Sequence, residues 1–146
     1  MTSDKPTDHA GTEVLRTAEC LNLLESKPIG RLGFVEQGQV TILPVRYMMD
    51  DGHVVFRSAV GAKLDAAVRW QSVAFEVDDW DQRDRTGWSV LVHGIANEVL
   101  NPERLAALGA RGLDQWVSGR QPMVWIEVRP MEITGRRIPP PLPPVG

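Results

Sequence analysis

The stretch "GRLGFVEQGQVTILPVRYMMDDGHVVFRSA", residues 30–59, decides the fold. Apolar and polar residues alternate through it, and the alternation breaks at "EQGQ" and again at "DDGH". A period of two belongs to a half-buried strand, and a glycine in a short polar break suits a tight hairpin. The stretch therefore reads as three sequential antiparallel strands over 30–36, 39–49 and 53–58. Pro44 has no backbone N–H to give a ladder, so the second strand has to lie at an edge, bulge or kink.

Working outward, "TAECLNLLESKP" (17–28) offers Thr17 as a helix cap, Leu21 and Leu24 at helical spacing, and Pro28 as a stop. "GAKLDAAVRWQ" (61–71) is a short helix and "SVAFEVDDW" (72–80) a fourth strand. "GWSVLVHGIANEVL" (87–100) is a long fifth strand in which Gly94 marks a bulge or sharp bend. Asn101 and Pro102 open a helix, "PERLAALGARGLDQW" (102–116), since proline favours the first helical position. "MVWIEVRPMEITGRRI" (123–138) closes the sheet as a strand pair or as one strand broken at Pro130.

Six antiparallel strands with short flanking helices, and no regular strand–helix alternation, make a β-rich α+β domain. Long strands with glycines at their corners favour a small barrel over a flat sheet. The domain spans 17–138, between a flexible N-terminal arm, 1–16, and a Pro-rich tail, 139–146. The tail contains a PxxP match at Pro140 to Pro143, for which a spacer is the commoner meaning.

A chain of 146 residues, 42% hydrophobic, is large enough to bury one adequate core. Its net charge of -3, spread along the chain, gives no basic footprint for nucleic acid. No apolar run approaches the ~20 residues of a membrane span. The opening "MTSDKPTDHAGTEV" lacks the apolar centre of a secretion signal, and a single cysteine, Cys20, forms no internal disulfide. A cytoplasmic protein is the expectation.

The chemistry-bearing residues gather where the third strand meets the second helix. Arg57, Ser58, Gly61 and Lys63 combine a planar cation, a hydroxyl, a flexible residue and a mobile cation at a helix N-terminus. Such a corner suits a phosphate. A solvated turn with ordinary surface cations is the plainer account, and the residues alone leave both open. The P-loop and the three-glycine dinucleotide fingerprint are both absent. "GWSVL" is not a nucleophile elbow, because residue 91 is leucine and Ser89 opens a strand. His9, His53 and His93 are far apart and Cys20 stands alone, so no metal is expected. Glu76, Asp78, Asp79 and Asp81 read as a solvated strand end, and Arg136 and Arg137 as pointing to opposite faces of a strand.

Taken in order, "GRLGFV", "LPVRYMMDDG", "VVFRSAVGAKL", "SVAFEVD", "GWSVLVHGIANEV" and "ITGRRI" resemble the pyridoxamine 5′-phosphate oxidase-like family of FMN-binding split barrels, and within it the small nitroimidazole-resistance-type members. The resemblance covers residues 17–138. It implies a six-stranded split barrel and assigns the FMN phosphate to Arg57, Ser58, Gly61 and Lys63. It sets Pro44, Val45 and Arg46 beside the isoalloxazine ring, adds Trp88 and Ser89 from the fifth strand, and gives Arg136 a place near the ring. It further implies a homodimer with the cofactor at the interface and an oxidoreductase acting on a small molecule. Relatives using an 8-hydroxy-5-deazaflavin coenzyme make that the alternative cofactor, and a flavin- or haem-binding carrier or sensor without turnover is the alternative function. The chain passes from "ITGRRI" straight into prolines, without the extended C-terminal segment of true pyridoxamine-phosphate oxidases. No residue stands out as a catalytic acid or base.

Overall fold

A computed structural model describes Thr7 and residues 11–60, 63–113 and 122–142, apart from the side chains at 63, 66 and 67. Both predicted hairpins form as two-residue turns. Gln37 and Gly38 have φ of 49 and 77, and Asp51 and Gly52 have φ of 51 and 79. Positive φ at both central positions is the backbone that matches strand twist across a two-residue turn. The turns join β2 (Ile29–Glu36) to β3 (Gln39–Arg46), and β4 (Met48–Asp50) to β5 (His53–Ala59).

Before them come β1 (Glu13–Val14) and α1 (Thr17–Glu25); after them α2 (Lys63–Val68), β6 (Gln71–Asp81), β7 (Thr86–Glu98), α3 (Pro102–Ala110) and β8 (Met123–Ile138). The sheet runs in the order β3-β2-β6-β7-β8-β5-β4, with β1 paired to β8 off this path. The path holds seven strands where six were expected, because the strand read over 39–49 divides at Tyr47.

That division makes the barrel. β3 and β4 are the two ends of the path, yet one residue separates them in the chain, so the sheet has to curl until its ends meet. Closure is covalent, through Tyr47, with no hydrogen-bonded ladder joining β3 to β4: a split barrel. Tyr47 is buried at the seam. Its hydroxyl donates to the Leu24 carbonyl, its N–H donates to the Pro28 carbonyl at 3.3 Å, and its ring meets Phe75 edge-on at 4.7 Å.

The last strand is continuous, and Pro130 does not break it. His93 pairs with Glu132 and Gly94 with Pro130, so Met131 is an extra residue looped out of β8. A bulge interrupts the ladder here and absorbs a residue that has no N–H to give. Helix ends also differ from expectation: α2 stops at Val68, and Gln71, read as its last residue, opens β6. The cap of α1 is Arg16 rather than Thr17, its backbone N–H donating to the Glu19 carboxylate at 3.4 Å. α3 stops at Ala110, and residues 114–116 of the longer helix lie outside the described residues. The start of α3 follows the reading, with Asn101 Oδ1 accepting the N–H groups of Glu103 and Arg104 at 2.9 and 3.2 Å. Within the stretch read as an arm, Glu13 and Val14 pair with β8 and Leu15 is buried.

The main core lies inside the curl. Leu32, Phe34, Phe56, Phe75, Val77, Val90, Val92 and Ile126 meet Cys20 and Leu24 of α1 there. The Cys20 thiol is pushed up in pKa by burial, as suits a packing residue. A second cluster, Val55, Val99, Leu108 and Trp125, packs α3 against the outside of β5 and β8. Arg104 ties this helix down, donating to Glu127 at 2.7 Å and to Asp50 at 2.9 Å.

Candidate functional site

The β5–α2 corner carries the residues assigned to a phosphate, but strand alternation divides them. Val54, Phe56 and Ser58 face the main core, while Val55, Arg57 and Ala59 face the α3 side. The Arg57 guanidinium lies over the Trp125 ring, 5.2 Å from its centroid, which fixes a long side chain beside the corner. Ser58 is buried, and its hydroxyl reaches the Ala59 carbonyl only at 3.5 Å, leaving that hydroxyl weakly engaged. α2 is six residues long, and its first turn holds Asp65, buried and gripped by Arg69 at 3.0 and 3.2 Å. A helix this short, with a carboxylate in its first turn, offers an anion little by its dipole. Phosphate binding there would rest on the Arg57 and Lys63 charges. Gly61 and the side chain of Lys63 lie outside the described residues.

A second group occupies the outer face of the sheet. Val73, Phe75 and Val77 point inward, so Ala74, Glu76, Asp78 and Trp80 point outward. Across the strands one row runs Pro44, Arg31, Glu76 and the next runs Asp78, Ser89, Arg136. Pro44 and Arg46 share this outer side, whereas Val45 turns inward and is buried. A cleft of about 360 Å³ brings Trp88, Ser89 and Arg136 together with Thr12, Asp78 and Trp80. Period two on β6 is the signal that would have added Asp78 and Trp80 to the predicted set.

Arg57 pairs with Trp125, and Ser89 with Arg136, on the same strand β8. Ten paired steps of β8 and the looped-out Met131 separate those two levels, at most about 33 Å along the strand at ~3.3 Å per residue.

Arg31 Nη1 sits 3.4 Å from Glu76 Oε1 and 3.5 Å from Asp78 Oδ2. The Glu76 carboxyl is pushed up to about 7, first by burial and then by Asp78, with Arg31 opposing. A folded-state pKa above the unfolded value favours the protonated form, so this contribution is full below about 4.5 and is lost as pH rises towards 7. Glu76→Gln is therefore expected to raise the melting temperature at pH 8 and to change it little at pH 4. Thermal melts across that range check the sign, and an equal effect at both ends would contradict it.

Among the described residues no three His, Cys, Asp or Glu side chains gather to hold a metal ion. No helix among them is long and apolar enough to cross a membrane. β3 and its neighbour β2 expose Val35, Val40, Ile42 and Leu43, with Val40 73% accessible.

Comparison with known proteins agrees with this architecture. Residues 16–137 match the family described as pyridoxamine 5′-phosphate oxidase. An uncharacterized protein of Mycobacterium tuberculosis, Rv0080, is 40% identical over 125 residues, 82% of this chain and 81% of the relative. An FAD-binding protein from Mycobacterium smegmatis superposes with a TM-score of 0.75 at 35% identity, over 86% of this chain and 98% of that one. An FAD-binding protein from Mesorhizobium loti gives a TM-score of 0.70 at 25% identity, over 87% and 98%. With the split barrel, the strand order and a match over nearly all of the domain, the chain belongs to the pyridoxamine 5′-phosphate oxidase family.

Proposed function

We propose that this protein is a homodimeric flavoprotein that holds FMN between its two copies and acts as an oxidoreductase on a small molecule. The observation that carries the reading is the separation of the candidate residues into two groups. Arg57, Ser58 and Lys63 belong to the β5–α2 corner, and Trp88, Ser89 and Arg136 to a cleft eleven residues away along β8. A flavin that drew on both groups would take the corner from one protomer and the cleft from the other. The exposed apolar strip on β2 and β3 supports a second copy, since soluble monomers rarely leave such a patch uncovered.

The residues fit the group chemically. Arg57 and Lys63 supply charge for a phosphate, while Ser58, buried on the opposite face of β5, is left to the core. Trp88 and Trp80 supply flat apolar surface, with Ser89 and Arg136 as polar contacts at the ring's edge. Pro44, Arg46 and the backbone of Val45, on the edge strand β3, do not line this cleft, and contact between them and the ring rests on the family resemblance alone. A bound flavin supplies hydride or single-electron transfer, and the protein supplies binding, orientation and charge.

A second reading, FAD in place of FMN, is favoured by the two relatives named as FAD-binding. Releasing the chromophore from purified protein by heat, and identifying it by chromatography and mass, separates the readings. FMN at one per chain, in a particle sedimenting as a dimer, is the expected result. FAD supports the second reading, and an 8-hydroxy-5-deazaflavin would replace both. A colourless monomer that takes up no flavin overturns the proposal. A flavin that no electron donor reduces would mark a carrier or sensor instead of an enzyme.

A further inference from the structure

At the open end of the barrel, between α1 and the sheet, lies a cavity of about 370 Å³ that the flavin reading does not use, although it shares Trp88 with the outer cleft. Leu23, Trp88, Thr86, Asp79, Asp81 and Arg137 border it. Arg136 and Arg137 diverge as strand alternation requires. Arg136 joins the outer cleft, while Arg137, in register with Trp88, turns to this cavity.

The charges here are unequally engaged. Asp79 accepts from Lys27 at 2.8 Å, and that hydrogen bond holds its carboxyl below the ordinary range. Asp81 folds back on its own turn, Oδ1 accepting the N–H groups of Arg83 and Asp84 at 2.9 and 3.0 Å. Arg137 is different. Its Nε is buried and has no hydrogen-bond partner among the described residues. Glu13 stands opposite it in register on β1, but no ion pair joins the two. A buried donor left unmade is costly, and a guanidinium edge is shaped to take two oxygens of one carboxylate. Trp88 and Leu23 add a flat and an apolar wall.

We infer that this barrel-mouth cavity is a binding site for a small planar carboxylate, with Arg137 as the group that recognises the acid and Trp88 as the surface on which the body of the ligand lies. The site stands on this chain's own residues, and its recognising group, Arg137, takes no part in the flavin reading, although Trp88 borders both.

Calorimetric titration of the full-length protein as purified, with benzoate and its neutral isostere benzamide, tests this. Benzoate should bind saturably and benzamide at least about tenfold more weakly, because only the acid makes the charge-assisted pair. Arg137→Gln should lower benzoate affinity to the benzamide level, and Arg137→Lys should restore part of it, while flavin content stays at the wild-type value. If Arg137→Gln does not fold, the benzoate-to-benzamide ratio on the native protein decides alone. Equal binding of the two probes, no saturable benzoate binding, or a folded Arg137→Gln protein that binds benzoate as tightly as wild type would overturn the assignment. Flavin content read in parallel separates failure of this site from failure of the flavoprotein reading.

Discussion

Gly94→Ala is expected to destabilise the fold by about 2–3 kcal/mol, the range for forcing atoms into a packed site. A Cβ at this position would lie 2.4 Å from the Arg129 carbonyl oxygen and 2.8 Å from Val128 Cγ1. The nearer obstacle is backbone, so no side-chain rotation relieves it. The backbone in question is pinned as well, since Pro130 and the looped-out Met131 form the bulge opposite Gly94. Gly109→Ala supplies the control. That glycine lies within α3, a Cβ there meets nothing within 4 Å, and alanine should stabilise by roughly 0.5–1 kcal/mol through helix propensity. Urea denaturation reads both. A Gly94→Ala loss no larger than a few tenths of a kcal/mol would mean that β7 and β8 do not meet in the register described.

The second large effect concerns ligand binding. Arg57→Ala and Lys63→Ala are each expected to weaken FMN binding by about 1–3 kcal/mol, roughly 5- to 150-fold in Kd. Riboflavin, which lacks the phosphate, should bind the variants almost as it binds the wild type. The ratio of FMN to riboflavin affinity is thus the discriminating quantity, read from quenching of flavin fluorescence. Arg57→Ala should also cost some stability, because it removes a cation held over Trp125. An unchanged ratio in both variants would take the phosphate away from this corner.

The hairpins were legible because two local rules agree at each: alternation on either side, and a glycine where the turn needs positive φ. Closure at Tyr47 was not. Residues 39–49 read as one strand, and only the meeting of β3 and β4 from opposite ends of the sheet divides them. Pro130 misled for a related reason: a bulge accommodates it, and a bulge depends on the partner strand. At the site, nearness in sequence drew Arg57 and Ser58 together, while strand parity sends them to opposite faces. Parity also foretold that Arg136 and Arg137 would diverge. Which of them turns inward depends on register with Trp88, and that is a tertiary fact. Asp65, in the first turn of α2 and paired with Arg69, leaves the helix end little to offer an anion, so phosphate binding there would rest on the cations.

A crystal structure of the protein loaded with flavin is the most direct test. The account predicts the ribityl phosphate within hydrogen-bonding reach of both the Arg57 guanidinium and the Lys63 ammonium of one protomer, with the ring against the Ser89–Arg136 cleft of the other. A flavin bound elsewhere, with those two cations directed separately into solvent, would contradict it.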